Sequence, residues 1–213
     1  TSRRQRQMCI RDSFMAGRIG TDNFGKQIYD TLSNQNINLD GLKMVDEATG
    51  MSVALMGSDG IYCAVVVSGA NQTIDLSEIA VPDDLTVLVL QNEINTDANF
   101  EIIKKVPKST FIILNAAPAL TPNKDFFERI DLLVVNQLEA KMLLNEEPSI
   151  FNNLDALRKL QNLGPKEVII TMGADGYTGI SKNGEIFSEP GIKVDVLSTH
   201  GPGDSFVGTL AAV

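Results

Sequence analysis

Cysteine is nearly missing from this chain: Cys9 and Cys63 are the only two among 213 residues. Two thiols so far apart match neither the dense set of a disulfide scaffold nor the paired spacing of a zinc site. The sequence therefore points to a reducing compartment, and the cytoplasm is the expected location. Basic residues are also in deficit, 18 against 27 acidic ones, for a net charge of -9. A protein that grips a phosphate backbone needs a basic surface, so a nucleic-acid partner is excluded. No apolar run reaches the ~18 residues of a membrane-crossing helix, so no membrane partner is expected.

Two phosphate-binding signatures are missing as well. No glycine-rich loop ends in G-K-[ST], and no G-x-G-x-x-G occurs, which counts against a P-loop nucleotidase and a dehydrogenase. Histidine occurs once, as His200, four residues before Asp204. A lone histidine beside a loop is better read as a hydrogen-bonding surface residue than as an acid or base.

What remains is ordinary globular material: 43% of residues are hydrophobic and 21% charged, enough for one sizeable core. The first 13 residues stand apart, holding Arg3, Arg4, Arg6 and Arg11 but one acidic residue. They have no apolar face, unlike an amphipathic transit peptide. Residues 1–13 are read as non-native, and 14–213 as a partial domain whose last helix is cut short.

From Leu85 onward, apolar runs alternate with helical patterns. Strands are predicted at 85–90, 110–114, 131–135 and 167–171, and helices near 96–106, 122–129, 137–144 and 151–163. Such alternation implies βαβ units and a parallel sheet. The strands are apolar throughout, as expected where both faces are covered. Phe111 and Met142 read as core.

Earlier in the chain, Phe24, Ile28 and Leu32 recur at helical spacing behind Asp22, so 23–35 reads as an amphipathic helix with Asp22 as its cap. Strands at 52–56 and 61–67 flank Gly57-Ser58-Asp59-Gly60, a hairpin signal. A second hairpin is predicted about Lys182-Asn183-Gly184, between 177–181 and 185–188.

Three glycine- or carboxylate-bearing segments could carry chemistry. In Gly201-Pro202-Gly203-Asp204, a glycine-rich turn runs into a helical pattern at Phe206, Val207 and Leu210. Glycines let the backbone approach a ligand, and a helix's first turn offers unpaired N–H groups and a positive dipole end to an anion. An aspartate there could take the proton of an attacking hydroxyl. In Asn136-Gln137-Leu138-Glu139, a carboxylate follows an apolar strand, where α/β sheets meet ligands and where it could help hold magnesium. Taken alone, that segment reads more readily as a helix capping box. Thr171-Met172-Gly173-Ala174-Asp175-Gly176 could seat a nucleotide, though alone it reads more readily as a tight turn into the second hairpin.

Together and in this order, these segments resemble the ribokinase-like (PfkB) family of carbohydrate kinases over roughly residues 14–213. Gly17-Arg18-Ile19-Gly20-Thr21-Asp22-Asn23-Phe24-Gly25 is similar to its early G-x-(V/I)-G-x-D-x-F-G segment. Gly69-Ala70-Asn71 follows a strand as in that family, and Ile113-Leu114-Asn115-Ala116-Ala117-Pro118 is similar to its I-L-N-P-A-P segment.

The resemblance implies an α/β fold, a three-layer αβα sandwich with a mostly parallel central sheet and a small β lid, here about 52–67. It implies ATP and Mg2+ as cofactors, a small-molecule sugar as substrate, and a homodimer through the lid. Asp204 would be the catalytic base, with Gly201 and Gly203 in the anion hole around the transferred phosphate. Asn136 and Glu139 match an N-x-x-E motif, Asn136 toward the nucleotide and Glu139 toward the metal. Thr171, Gly173 and Gly176 match the nucleotide turn, and Glu93 falls where the family carries a sugar-binding glutamate.

Three departures stand out. Pro202 replaces a common alanine and has no N–H to donate. Ser198 replaces an aspartate of potassium-activated relatives, which counts against K+ activation. The family's early G-G-K-G-x-N stretch and its late adenine-contacting segments have no counterpart, so the chain alone is expected to be inactive. The favoured reaction is transfer from ATP to ribose, giving ribose 5-phosphate, with fructose or a nucleoside as alternative acceptors. A catalytically silent sensing or oligomerising relative competes with it, and a dinucleotide-binding module is a weaker third.

Overall fold

The computed structural model describes residues 13–56, 62–120, 124–147, 151–193 and 201–212. Residues 1–12, the predicted hairpin turn at Gly57–Gly60, and Ser198 and His200 lie outside the described residues. The chain divides into two compact units, one running to Val81 with Glu93–Ala98, the other comprising Pro82–Asn92 and Asn99 onward.

The first unit opens with β1 (Phe14–Gly20), α1 (Asn23–Ser33) and β2 (Asn38–Val45). β1 and β2 pair in parallel across the intervening helix. Neither strand was legible in the sequence, because each mixes polar and apolar residues without alternation. Arg18 is 4% exposed and donates to Glu78 Oε2 at 2.6 Å and to the Asp75 carbonyl. A positive side chain inside a strand is tolerated there because it has been given a carboxylate.

Asp22 caps α1 as predicted, accepting from Gly25 N and from both the amide and the hydroxyl of Thr49. Those donated bonds favour the ionised form, the Thr49 amide first, and hold the carboxyl at about 2. The helix docks through Gly25, whose Cα has no room for a side chain against Gly20. Its apolar stripe lines an open groove instead, with Phe24 58% and Ile28 38% exposed beside Thr49 and Met51. β3 (Met51–Met56) and β4 (Tyr62–Val67) then pair antiparallel as a separate two-stranded sheet, as the hairpin reading required.

The second unit holds a six-stranded sheet. β5 (Val87–Gln91), β6 (Phe111–Asn115), β7 (Leu132–Asn136) and β8 (Glu167–Thr171) run parallel and adjacent. β9 (Tyr177–Ile180) and β10 (Ile186–Glu189) extend it antiparallel, in the order β10-β9-β8-β7-β6-β5. Between the strands come α2 (Thr96–Lys105), α3 (Lys124–Arg129), α4 (Gln137–Leu144) and α5 (Asn153–Gln161); α6 (Pro202–Ala211) follows β10.

Period-two alternation divides the strands into two covered faces. Ile112, Leu133, Val168 and Ile170 on one are fully buried, and α4 and α5 pack against β7 and β8. On the other, Val207 of α6 packs with Ile113, Val134 and Ile169. This is the mostly parallel α/β sheet expected from sequence.

At the amino edge, Asp131 binds the chain crossings together. It accepts from Ile112 N at 2.8 Å and pairs with Lys166 at 2.5 Å and Arg129 at 3.4 Å.

Two expectations need correcting in this unit. Met142 is 56% and Phe111 38% exposed, not core. The inward stripe of α4 is Ala140 and Leu143, with Met142 between them on the outer side, and Phe111 heads β6 ahead of its four buried residues. The last helix begins at Pro202 rather than after Asp204, because proline's fixed φ suits the first helical position.

Candidate active site

The carboxyl ends of the parallel strands line up in register, Gln91 beside Asn115 and Asn136 beside Thr171. This edge, where an open α/β sheet meets its ligands, collects most of the residues singled out from sequence.

Asp204 reaches it from the first turn of α6. Gly201 is the N-cap in a left-handed conformation, φ +82°, and Pro202 takes the first helical position. The Ser205 amide closes the first helical bond onto the Gly201 carbonyl at 3.0 Å. The amides of Gly201, Gly203 and Asp204 precede that bond and have no partner among the described residues. Pro202 has no amide to offer. The loop thus presents three N–H donors at the positive end of a helix, a suitable cradle for an anion. Neither glycine would bring an added Cβ within 4 Å of anything, though Gly201's φ still disfavours other residues. Val207, one turn on, anchors the helix to the sheet. The Asp204 carboxylate is exposed, and its Oδ1 accepts from Gln91 Nε2 at 3.1 Å.

Asn136 ends β7 and caps α4. Its side chain accepts from Glu139 N at 2.8 Å, and Glu139 Oε2 accepts from Asn136 N at 2.7 Å. The capping box foreseen from the sequence is therefore formed. It does not exhaust Glu139. Burial pushes this carboxyl above its ordinary value of 4.5, outweighing the amide hydrogen bond that pulls the other way. A desolvated carboxylate with one oxygen still open is the kind of ligand a cation would stabilise. Among the described residues, no group of three or more His, Cys, Asp or Glu is placed to hold a metal.

The raised value has a consequence for stability. Folding disfavours the charged form of Glu139, so a penalty grows as pH rises from about 4.5 through the higher folded value. Glu139→Gln keeps an acceptor for the Asn136 amide and removes the charge. Its melting temperature should equal or exceed that of the parent protein at pH 7, and the gap should close near pH 4.

Thr171 ends β8, its hydroxyl donating to the Val135 carbonyl at 3.4 Å. A 3-10 turn over Gly173–Asp175 follows and reverses the chain into β9. The two glycines differ. Gly173 has φ +60° and open space beside it, whereas Gly176 has φ +90° and is pressed against the backbone of Glu189, Pro190 and Gly191. The turn is thus a tight connection with open space beside Gly173 and backbone packed against Gly176.

Glu93 lies two residues past β5, half-buried and grouped with the first unit. Gln91 was missed by the sequence reading altogether. Its signal was available: a polar residue closing an apolar strand at the ligand-facing edge.

Residues 5–213 match the sequence pattern of the pfkB family carbohydrate kinases. A ribokinase of Schizosaccharomyces pombe is 30% identical over 208 residues, an alignment covering 92% of this chain and 65% of that protein. A ribokinase of Arabidopsis thaliana is 30% identical over 213 residues, covering 93% and 56%. The structure of Arabidopsis thaliana ribokinase complexed with ribose and ATP superposes with a TM-score of 0.80 at 25% identity, over 98% of this chain and 72% of that one. The chain spans less than two thirds of the length of the two ribokinases aligned by sequence. With Asp204, the N-x-x-E capping box and the glycine turn all brought to one edge of the sheet, and a family match running through them, the chain belongs to the pfkB family of carbohydrate kinases.

Proposed function

We propose that the chain forms part of an ATP-dependent sugar kinase that phosphorylates a sugar hydroxyl, with ribose the favoured acceptor and ribose 5-phosphate the product. The observation that carries this reading is the placement of Asp204 within a helix N-terminus whose amides at Gly201, Gly203 and Asp204 have no partner among the described residues, at the carboxyl edge of a parallel sheet. Asp204 accepts the proton of the acceptor hydroxyl as its oxygen bonds to the terminal phosphorus of ATP. The bond from that phosphorus to the bridging oxygen breaks, and ADP leaves. The amides of Gly201, Gly203 and Asp204 face the charge on the phosphoryl group. Asn136, Thr171, Gly173 and Gly176 serve the nucleotide, and Glu93 the sugar. Glu139 would hold magnesium, directly or through water, and the ion would neutralise phosphate charge.

The ligands named for similar proteins support ribose and ATP, since the Arabidopsis ribokinase was solved with both. The β3–β4 hairpin supports a homodimer. Met51 and Val53 stand opposite Val67 and Val65, and all four are more than a third exposed on one face. The same face is what an oligomerising, catalytically silent relative would need.

The test is ADP release by the complete gene product carrying this chain, with ribose, fructose or adenosine, with and without potassium. Ribose-dependent turnover unaffected by potassium is the expected result, the latter because of Ser198. Binding of ATP without turnover on any acceptor would favour the silent relative.

A further inference from the structure

Asp204 is not held by its own helix. Its Oδ1 accepts a hydrogen bond from Gln91 Nε2 at 3.1 Å, across 113 residues of chain. Gln91 closes β5, paired in register with Asn115 of β6. Its carbonyl is gripped in turn by Asn99 Nδ2 at 2.7 Å. Asn99 is 1% exposed, and its own Oδ1 is buried without a partner among the described residues. Burying an acceptor unpaired is costly. A side chain kept there at that cost, with its amide group spent on the carbonyl of Gln91, fixes the point from which the glutamine reaches.

We infer that Gln91 is a positioning residue for the base: by donating to Oδ1 it fixes the carboxylate plane and leaves Oδ2 turned to the acceptor hydroxyl. A carboxylate in the first turn of a helix, exposed and with no other partner among the described residues, would otherwise rotate about its Cβ–Cγ bond and sample planes in which neither oxygen meets the acceptor hydroxyl. Proton transfer demands hydrogen-bond geometry, and small misplacements are expensive in rate. The donor has to be neutral, since an ammonium or guanidinium at that place would compete with the acceptor for the carboxylate charge, and an acceptor would repel it. The inference rests on the kinase reading above, in which Asp204 is the base.

Its test is a series at Gln91 in the complete protein, with ribose as acceptor and ADP release as readout. Gln91→Met keeps length and volume without a donor; Gln91→Glu keeps shape but replaces the donor with a like charge. The expected result is a kcat about tenfold lower for the methionine variant and about a hundredfold lower for the glutamate variant, with KM for ATP within about twofold of the parent. Melting temperatures should stay close to the parent's, because the hydrogen bond is solvent-exposed. If Gln91 only fills space, Gln91→Met will retain parental kcat, and the inference is overturned. Asp204→Ala is run alongside: if it retains activity, the kinase base has been misassigned, whereas a dead Asp204→Ala with active Gln91 variants sinks the positioning role alone.

Discussion

Replacing Asp204 with asparagine should reduce kcat for sugar phosphorylation by about a thousandfold while leaving ATP binding within about threefold of the parent protein. The substitution is nearly isosteric. Its amide oxygen can still accept from Gln91 Nε2, which stands 3.1 Å away in the parent, and Val207 still anchors α6 to Ile113, Val134 and Ile169. On the proposed reading, what disappears is the proton acceptor, and general-base assistance is worth roughly 10²–10⁴ in rate. The three amides of the helix N-terminus remain, so nucleotide affinity has no reason to fall; removal of a negative charge beside bound phosphates acts in the opposite direction. Stopped-time ADP assays and calorimetric titration of ATP separate the two quantities. A variant that keeps more than a tenth of parental kcat would show that the hydroxyl is deprotonated elsewhere.

The second large effect is one of stability, at the nucleotide turn. Gly176→Ala should unfold at a markedly lower temperature, with a loss of about 3 kcal/mol, whereas Gly173→Ala should cost only about 1 kcal/mol. Both glycines have positive φ, +90° and +60°, so each alanine carries the strain of a left-handed residue. At Gly176, however, the added carbon would also meet the Glu189 carbonyl oxygen and the Gly191 nitrogen, backbone atoms that cannot swing aside. The turn there is also closed by the Gly176 carbonyl, which accepts from Met172 N at 2.8 Å. At Gly173 nothing stands within 4 Å. That contrast gives the pair its use. A weakened affinity for ATP in Gly173→Ala, measured on a protein that remains folded, reports direct approach of the nucleotide to that backbone. Unchanged affinity would return the segment to a plain turn, the reading its spacing alone favours.

How much of this was legible in the sequence follows from the range of the forces involved. β8 and α4 were read with their observed bounds, Glu167–Thr171 and Gln137–Leu144, because an apolar β-branched run and a capping box are local signals. The box closes between Asn136 and Glu139, three residues apart. The succession of strands and helices then dictates a parallel sheet, and a parallel sheet dictates that Asn136, Thr171 and the turn after it share its carboxyl edge.

What tertiary structure decided is everything whose partner is far away in the chain. β1 and β2 have no strand-like pattern, and exist because they pair with each other and because the buried guanidinium of Arg18 finds Glu78 60 residues on. Gly176 was legible only as part of a turn, and its bare Cα is demanded by the approach of Glu189 and Gly191. The amphipathic stripe of α1 promised a buried face, yet the contact that docks the helix is made by Gly25 and the capping carboxylate of Asp22. Gln91 carried no motif at all. Its meaning comes from folding that brings the end of β5 to the first turn of α6, and composition and spacing contain no record of which distant atoms will meet. The sequence by itself determined the layers and the sheet edge that gathers the candidate residues, since hydrophobic periodicity and caps act over a few residues; the tertiary structure alone decided which side chains hold one another there.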